Sequence, residues 1–308
     1  MRNKKFEYIC RKTQSELHTY AEKKLKEIYA EVISERGFVY AKGDVPLLLV
    51  AHMDTVHKST PQTIEYIGDV VSSPNGIGGD DRCGVYAVME IIKKHKCSVL
   101  FTEDEEIGGI GAACFIKSPK ANELSFNYII ELDRQGKNDA VFYDCDNAEF
   151  TKFICGDGTW KEKMGSFSDI SIIAPRLKCA AVNLSCGYYK AHTKEEYVNL
   201  KELEMCIVNV CKLIERTKES DKFEYIESAN YFNFFENWGG YKSETFKADE
   251  GCALYGISFV NAEWKEDYEE YYASSEAEAI GFWAIDYPDV PSRDILAVDC
   301  FGVDSYVM

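Results

Sequence analysis

From residue 13 to residue 36, apolar positions recur at spacings of three and four. Leu17, Tyr20, Ala21, Leu25, Ile28, Tyr29 and Val32 alternate with lysines and glutamates. That period predicts one amphipathic helix, with Gly37 as its stop. The run Pro46-Leu47-Leu48-Leu49-Val50-Ala51 has no polar face. It predicts a central strand covered on both sides. Residues 63–71 read as a strand or hairpin arm before the Pro74-Asn75-Gly76 turn signal. A helical period returns over residues 81–95, through Val85, Val88, Met89 and Ile92. Strands are expected over 98–101, 126–132, 140–143 and 179–185, with a short helix over 110–116. Residues 200–214 form a further helix, because Leu203, Cys206, Ile207, Val210, Cys211 and Ile214 fall on one stripe.

Strands alternating with helices predict an α/β three-layer sandwich with a mostly parallel central sheet. The pattern changes near Lys218. Residues 218–308 carry 20 of the 41 aromatic residues and three of the four tryptophans. They also hold 20 acidic and 6 basic side chains, a balance of -14 out of -17 for the chain. The expected organisation is a catalytic domain over 1–217 and an acidic, aromatic-rich α+β module over 218–308. A helix over 275–282 and a strand over 295–298 are expected within the module.

The acidic balance opposes binding to nucleic-acid phosphates or anionic membranes. No run of 18 apolar residues occurs, so no transmembrane helix is expected. Residues 1–6 are charged and lead into no apolar stretch, which is a poor secretory signal. Twelve cysteines are scattered, many in apolar segments, and none forms a CxxC pair. Reduced buried thiols and a cytoplasmic location follow.

Several polar residues sit where predicted strands end. His52 and Asp54 are two apart after the 46–51 run, so alternation puts them on one side. A metal-bound imidazole usually gives its other nitrogen to a carboxylate. That makes His52 a candidate ligand and Asp54 its partner. Asp80 follows Gly76-Ile77-Gly78-Gly79 and opens a helix, so it fits either an N-cap or a ligand. If Asp81 caps, Asp80 is free to span two metals with its two oxygens. Arg82 is placed to pair with a nearby carboxylate.

Glu103-Asp104-Glu105-Glu106 follows Phe101-Thr102 and concentrates negative charge. A solvated turn or a bound dication would relieve it. Glu106 is assigned as ligand and Glu105 as general base, since neighbouring side chains point in different directions. Asp133 closes a strand, with Glu131 as competitor on the same face. His192 follows a Gly187-Tyr188-Tyr189 loop. His57 is a reserve ligand, and His18 and His95 read as surface residues. Two imidazoles and three carboxylates in this order can hold a pair of divalent cations.

His52-Met53-Asp54-Thr55-Val56, Gly79-Asp80-Asp81-Arg82, Asp104-Glu105-Glu106-Ile107-Gly108 and His192-Thr193 together resemble the co-catalytic zinc exopeptidase superfamily. Its members include tripeptidases, carboxypeptidases, zinc aminopeptidases and N-acyl amino acid deacylases. The resemblance spans residues 45–215. It implies a phosphorylase-like sheet with two divalent metals at the strand ends, zinc first, with cobalt or manganese as substitutes. It implies one metal on His52, Asp80 and Asp133 and the other on Asp80, Glu106 and His192. Glu105 would be the acid/base and Asp54 the residue behind His52.

The substrate would be a short peptide or an N-acyl amino acid, with aminopeptidase-type exopeptidase action expected first. Deacylase or carboxypeptidase action, and a catalytically silent binding protein, are the alternatives. Self-association is left open. Asp133 and His192 are 59 positions apart and Asp54 and Asp80 are 26 apart. Neither interval holds the inserted domain of larger relatives, so a lid-less layout is implied. Tyr188 or Tyr189 would have to replace any oxyanion donor borrowed from a lid.

Overall fold

The computed structural model describes residues 2–165, 167–228, 253–260, 266–273, 279–280, 283 and 295–302. The chain runs α1 (Lys4–Cys10), α2 (Gln14–Lys26), β1 (Val32–Glu35), β2 (Phe38–Ala41), β3 (Val45–His52), β4 (Glu65–Ile67), β5 (Val70–Ser72), α3 (Gly79–Ile91) and β6 (Cys97–Thr102). It continues α4 (Ile110–Lys117), β7 (Tyr128–Arg134), β8 (Asp139–Val141), α5 (Ala148–Cys155), β9 (Lys161–Lys163), α6 (Asp169–Leu177), β10 (Ala181–Ser185), β11 (Tyr188–Tyr189), β12 (Tyr197–Asn199) and α7 (Leu200–Arg216). Three further strands are β13 (Ala253–Val260), β14 (Glu266–Ala273) and β15 (Ile295–Gly302).

The main sheet has eight strands in the order β1-β2-β6-β3-β7-β10-β8-β9. Its centre, β6-β3-β7-β10, is parallel throughout. The apolar run of β3 explains the layering. Leu47, Leu49 and Ala51 pack on the face covered by α1, α2, α3, α5 and α7, while Leu48 and Val50 pack under α4 and α6. A strand with both faces buried needs apolar residues at every position. The expected three-layer α/β sandwich is therefore observed. A smaller antiparallel sheet, β11-β12-β5-β4, carries the loop that holds His192.

The helix expected over residues 13–36 is two elements. Helix α2 starts at a capping box between Thr13 and Glu16 and ends at Lys26. The next residues form the β1–β2 hairpin, with Ser34 paired to Val39 and Glu35 to Phe38. Gly37 has φ 94°, so it makes the hairpin turn rather than a helix stop. The helical spacing of Ile28, Tyr29 and Val32 was coincidental. Tyr29 instead donates to the carbonyl of Cys97 (2.7 Å), and Val32 lies in a strand. Helices α1, α5 and α6 were not foreseen. Residues 63–71 do form a hairpin arm, as β4 and β5.

Beyond α7 the chain returns to the sheet. Ala180 N–H donates to Phe223 O (3.0 Å) and Phe223 N–H to Asn127 O (2.8 Å). The Phe223 ring packs against Tyr128, Phe150 and Phe153. Strands β13–β15 make a separate antiparallel sheet in the order β14-β13-β15. The strand expected over 295–298 lies in β15. The helix expected over 275–282 falls largely outside the described residues. No helix among the described residues is long and apolar enough to cross a membrane.

Candidate metal centre

Open parallel sheets place reactive groups where the carboxyl ends of their strands converge. Here β3 ends at His52, β6 runs into Glu103-Asp104-Glu105-Glu106, and β7 carries Asp133 in its last turn of pleat. His52 is fully buried. Its Nε2 lies 3.1 Å from Asp80 Oδ1 and 3.4 Å from Asp133 Oδ1. Its Nδ1 faces Asp54 Oδ1 at 3.1 Å. Asp54 also accepts the backbone N–H groups of Glu105 (3.0 Å) and Glu106 (2.9 Å). One carboxylate thereby orients the imidazole and fixes the acidic turn.

Asp80 uses its other oxygen on the second histidine. His192 Nε2 lies 3.1 Å from Asp80 Oδ2 and 2.9 Å from Glu106 Oε2. The ligand atoms of His52, Asp80 and Asp133 fall within 4.8 Å of one another, and so do those of Asp80, Glu106 and His192. The two groups share Asp80. Glu105 belongs to neither, and its Oε2 sits 3.9 Å from His52 Nε2.

Eight carboxyls crowd this region: Asp54, Asp80, Asp81, Glu105, Glu106, Glu131, Asp133 and Asp169. All are buried or have side chains at most 12% exposed. Burial, reinforced by Asp80, pushes Asp133 up to about 7. Burial also raises Asp169 to about 7 and Glu105 well above the usual carboxylate range, with Asp133, Asp169 and Glu106 adding to the latter. Glu106 rises through burial and the Asp80 charge. Asp80 moves down, because His192 and His52 together outweigh its burial. His192 is raised to about 10 by its bonds to Asp80 and Glu106. Burial opposes charge on His52, but Asp133 and Asp54 outweigh it and raise the ring well above its ordinary value.

Such a cluster is costly without compensating cations. Buried oxygens of Glu106 (Oε1), Glu131 (Oε1) and Asp169 (Oδ1) have no hydrogen-bond partner among the described residues. The orphaned Glu106 oxygen and the all-N/O donor set fit divalent metals of the zinc, cobalt or manganese type.

No protein-family model matches the sequence, and a search of curated proteins finds no significant match. Solved structures do match. A tripeptidase of Staphylococcus aureus aligns with a TM-score of 0.57 at 15% identity, over 68% of this chain and 96% of its own. An aminopeptidase of Bacillus cereus gives 0.56 at 15% identity, over the same shares. An aminopeptidase of the archaeon Desulfurococcus kamchatkensis gives 0.53 at 16%, over 72% and 98%. The chain thus shares the α/β fold of these peptidases.

Within that fold the structure brings His52, Asp54, Asp80, Glu105, Glu106, Asp133 and His192 to one place. Other expectations need correction. Among the described residues Arg82 pairs with no carboxylate; its guanidinium donates to the backbone carbonyls of Met53, Asp54 (3.1 Å) and Lys12 (3.1 Å). His57 does not join the ligand groups, because its Nε2 is taken by Glu196 Oε2 at 2.8 Å. His18 is not a surface residue: it bridges Glu103 (3.0 Å) and Ser34 (2.9 Å). Neither tyrosine is a spare oxyanion donor. Tyr188 is buried and donates toward Asp133 (Oδ1 3.3 Å), and Tyr189 donates to Glu202. Asp81 takes the capping role, accepting from Gly84 N–H at 2.7 Å.

Several residues packed around this cluster are not singled out by the sequence. Asn183 on β10 clamps Asp133, accepting its N–H (2.9 Å) and donating to its carbonyl (3.2 Å). Ser168 accepts from Asn183 (3.1 Å) and donates to Glu131. Asp169 is fully buried and accepts from Thr102. Ser-Asp at a helix start reads as an ordinary cap, and Asn183 shows only as a lone polar residue in an apolar strand.

Proposed function

We propose that this chain is a two-metal exopeptidase of aminopeptidase type acting on short peptides. The observation that carries this reading is Asp80, whose two oxygens face two different histidine-containing groups. His52, Asp80 and Asp133 would hold one cation, and Asp80, Glu106 and His192 the other. Bound there, two divalent ions would lower the pKa of a water and polarise a scissile carbonyl. Glu105 accepts the proton of the attacking water and returns it to the departing amine. Burial and the neighbouring carboxylates raise its pKa, the direction that favours return of the proton. Asp54 holds both His52 and the backbone of Glu105, so the base and the ligand move as one piece.

The charge around the adjoining cavity favours recognition of a free amine. This cavity, about 590 Å³, is lined by α1–α2 residues such as Gln14, the 54–61 loop, and Asp104, Glu106 and Ile107. Its described cations are Lys58, which is exposed, and Arg82, whose guanidinium is spent on three backbone carbonyls. A carboxypeptidase needs a fixed cation for the terminal carboxylate, typically an arginine fork. Asp104 instead suits an ammonium group. Digestion of a peptide library with the zinc-loaded protein, read by mass spectrometry, tests this. Residues are expected to leave from the N-terminal end. N-acetylation is expected to slow cleavage at least about a hundredfold, the scale of a lost buried charge pair, and C-terminal amidation to leave it unchanged. The reverse pattern would point to carboxypeptidase action, and release of the acyl group from N-acyl amino acids to deacylation.

Metal loading should release protons. Coordination needs neutral imidazoles, and neighbouring carboxylates raise both rings, Asp133 and Asp54 that of His52, and Asp80 and Glu106 that of His192 to about 10. Calorimetric zinc titration in buffers of different ionisation enthalpy is expected to show proton release, with apparent affinity rising with pH. No proton release would contradict these ligands.

The ten cysteines from Cys10 to Cys211 are free, and most are buried. That suits a reducing compartment such as the cytoplasm.

A further inference from the structure

The loop bearing His192 is the most exposed part of the site. The His192 side chain is 55% exposed and its backbone has φ 62°. Four residues later, still before β12, Glu196 is completely buried. Its Oε2 accepts Gly78 N–H at 2.7 Å and faces His57 Nε2 at 2.8 Å. Its Oε1 accepts Asp80 N–H at 3.0 Å. Among the described residues, the partners of this carboxylate belong to the segments that lead into the bridging aspartate or follow β3.

The glycine-rich turn is shaped to this contact. A Cβ at Gly76 (φ 89°) would lie 2.1 Å from the His57 ring. One at Gly79 would lie 2.8 Å from Tyr188 Cβ and Val198 Cγ2, and 3.4 Å from Glu196 Oε1. The backbone can therefore close over His57 and Glu196 only where side chains are absent. Within the His192 loop, Thr193 N–H donates to Lys190 O (3.3 Å) and Glu196 N–H to Thr193 O (3.2 Å). The stretch from His192 to Glu196 is thus one tied turn.

We propose that Glu196 is a positioning residue that fastens the His192 loop to the Asp80 turn, so that the Asp80–Glu106–His192 position forms only while this latch is closed. The inference rests on the two-metal reading above. Removing the carboxylate leaves the N–H groups of Gly78 and Asp80 without their buried acceptor. The exposed His192 then loses its tether, while the Asp80 carboxylate is still faced by His52. The other group is less dependent on the latch, because His52 and Asp133 sit on central strands and are held by Asp54 and Asn183. Loss of a residue that orients a ligand typically costs about 10–100-fold in metal affinity.

The test is calorimetric zinc titration of the metal-free full chain, wild type against Glu196→Ala and Glu196→Gln, alongside thermal unfolding without metal. Two binding steps are expected for the wild type. Glu196→Ala is expected to weaken one step by about 10–100-fold and leave the other within about threefold. Glu196→Gln keeps one acceptor oxygen and should fall between. Histidine modification, read by mass spectrometry at half-saturating zinc, should find His192 unprotected in the variants and protected in the wild type. Equal weakening of both steps, or two steps of wild-type affinity, would overturn the latch. If Glu196→Ala does not fold, Glu196→Gln is read by the same criteria. A wild type that binds fewer than two ions would instead defeat the two-metal reading itself.

Discussion

Glu105→Gln is expected to retain both metal ions while kcat falls by about 10²–10⁴-fold, the usual contribution of a positioned acid/base. Glu105 lies in neither ligand group, yet its Oε2 is only 3.9 Å from His52 Nε2. The amide is isosteric, and the backbone bond from residue 105 to Asp54 does not use the side chain. The variant can bind substrate but cannot take a proton. Metal analysis and steady-state kinetics on one preparation check both halves. Unchanged turnover would remove Glu105 from the chemistry, and loss of a metal would make it a ligand.

The second large effect is expected at the shared aspartate. Asp80→Ala deletes an oxygen from each group at once, so its cost is not that of an ordinary ligand. Metal content is expected to fall well below one ion per chain, and activity to background, because both groups lose a ligand together. Asp133→Ala removes a ligand from one group alone, and one ion is expected to remain. Metal analysis after gel filtration separates the two variants. Equal retention in both would show that Asp80 is not shared.

Much of this site was legible because its chemistry sits where secondary structure changes. The all-apolar β3 run locates a buried strand, and His52 is its last residue. A four-acid turn after β6 and the acid closing β7 stand out against apolar neighbours in the same way. The supporting residues were not legible, because their roles depend on tertiary proximity. Glu196 looks like one of two ordinary glutamates in an exposed loop until Gly78 and Asp80 are seen to donate to it. Asn183 is a lone polar residue in a buried strand, a weak sign that only its contact with Asp133 explains.

In the fold, the central strands and α7 were readable from periodicity. The β1–β2 hairpin was not. Its apolar residues continue the three-and-four spacing of α2, and only pairing with β6 selects the extended form. His18 was likewise read by its place on a lysine-rich helix, which hides its contact with Glu103.

The most direct test is anomalous diffraction at the zinc edge from crystals of the zinc-loaded protein. Two peaks are expected, roughly 3.5–4 Å apart, one between His52 and Asp133, the other between Glu106 and His192, with Asp80 touching both. A single peak, or peaks away from Asp80, would contradict the account.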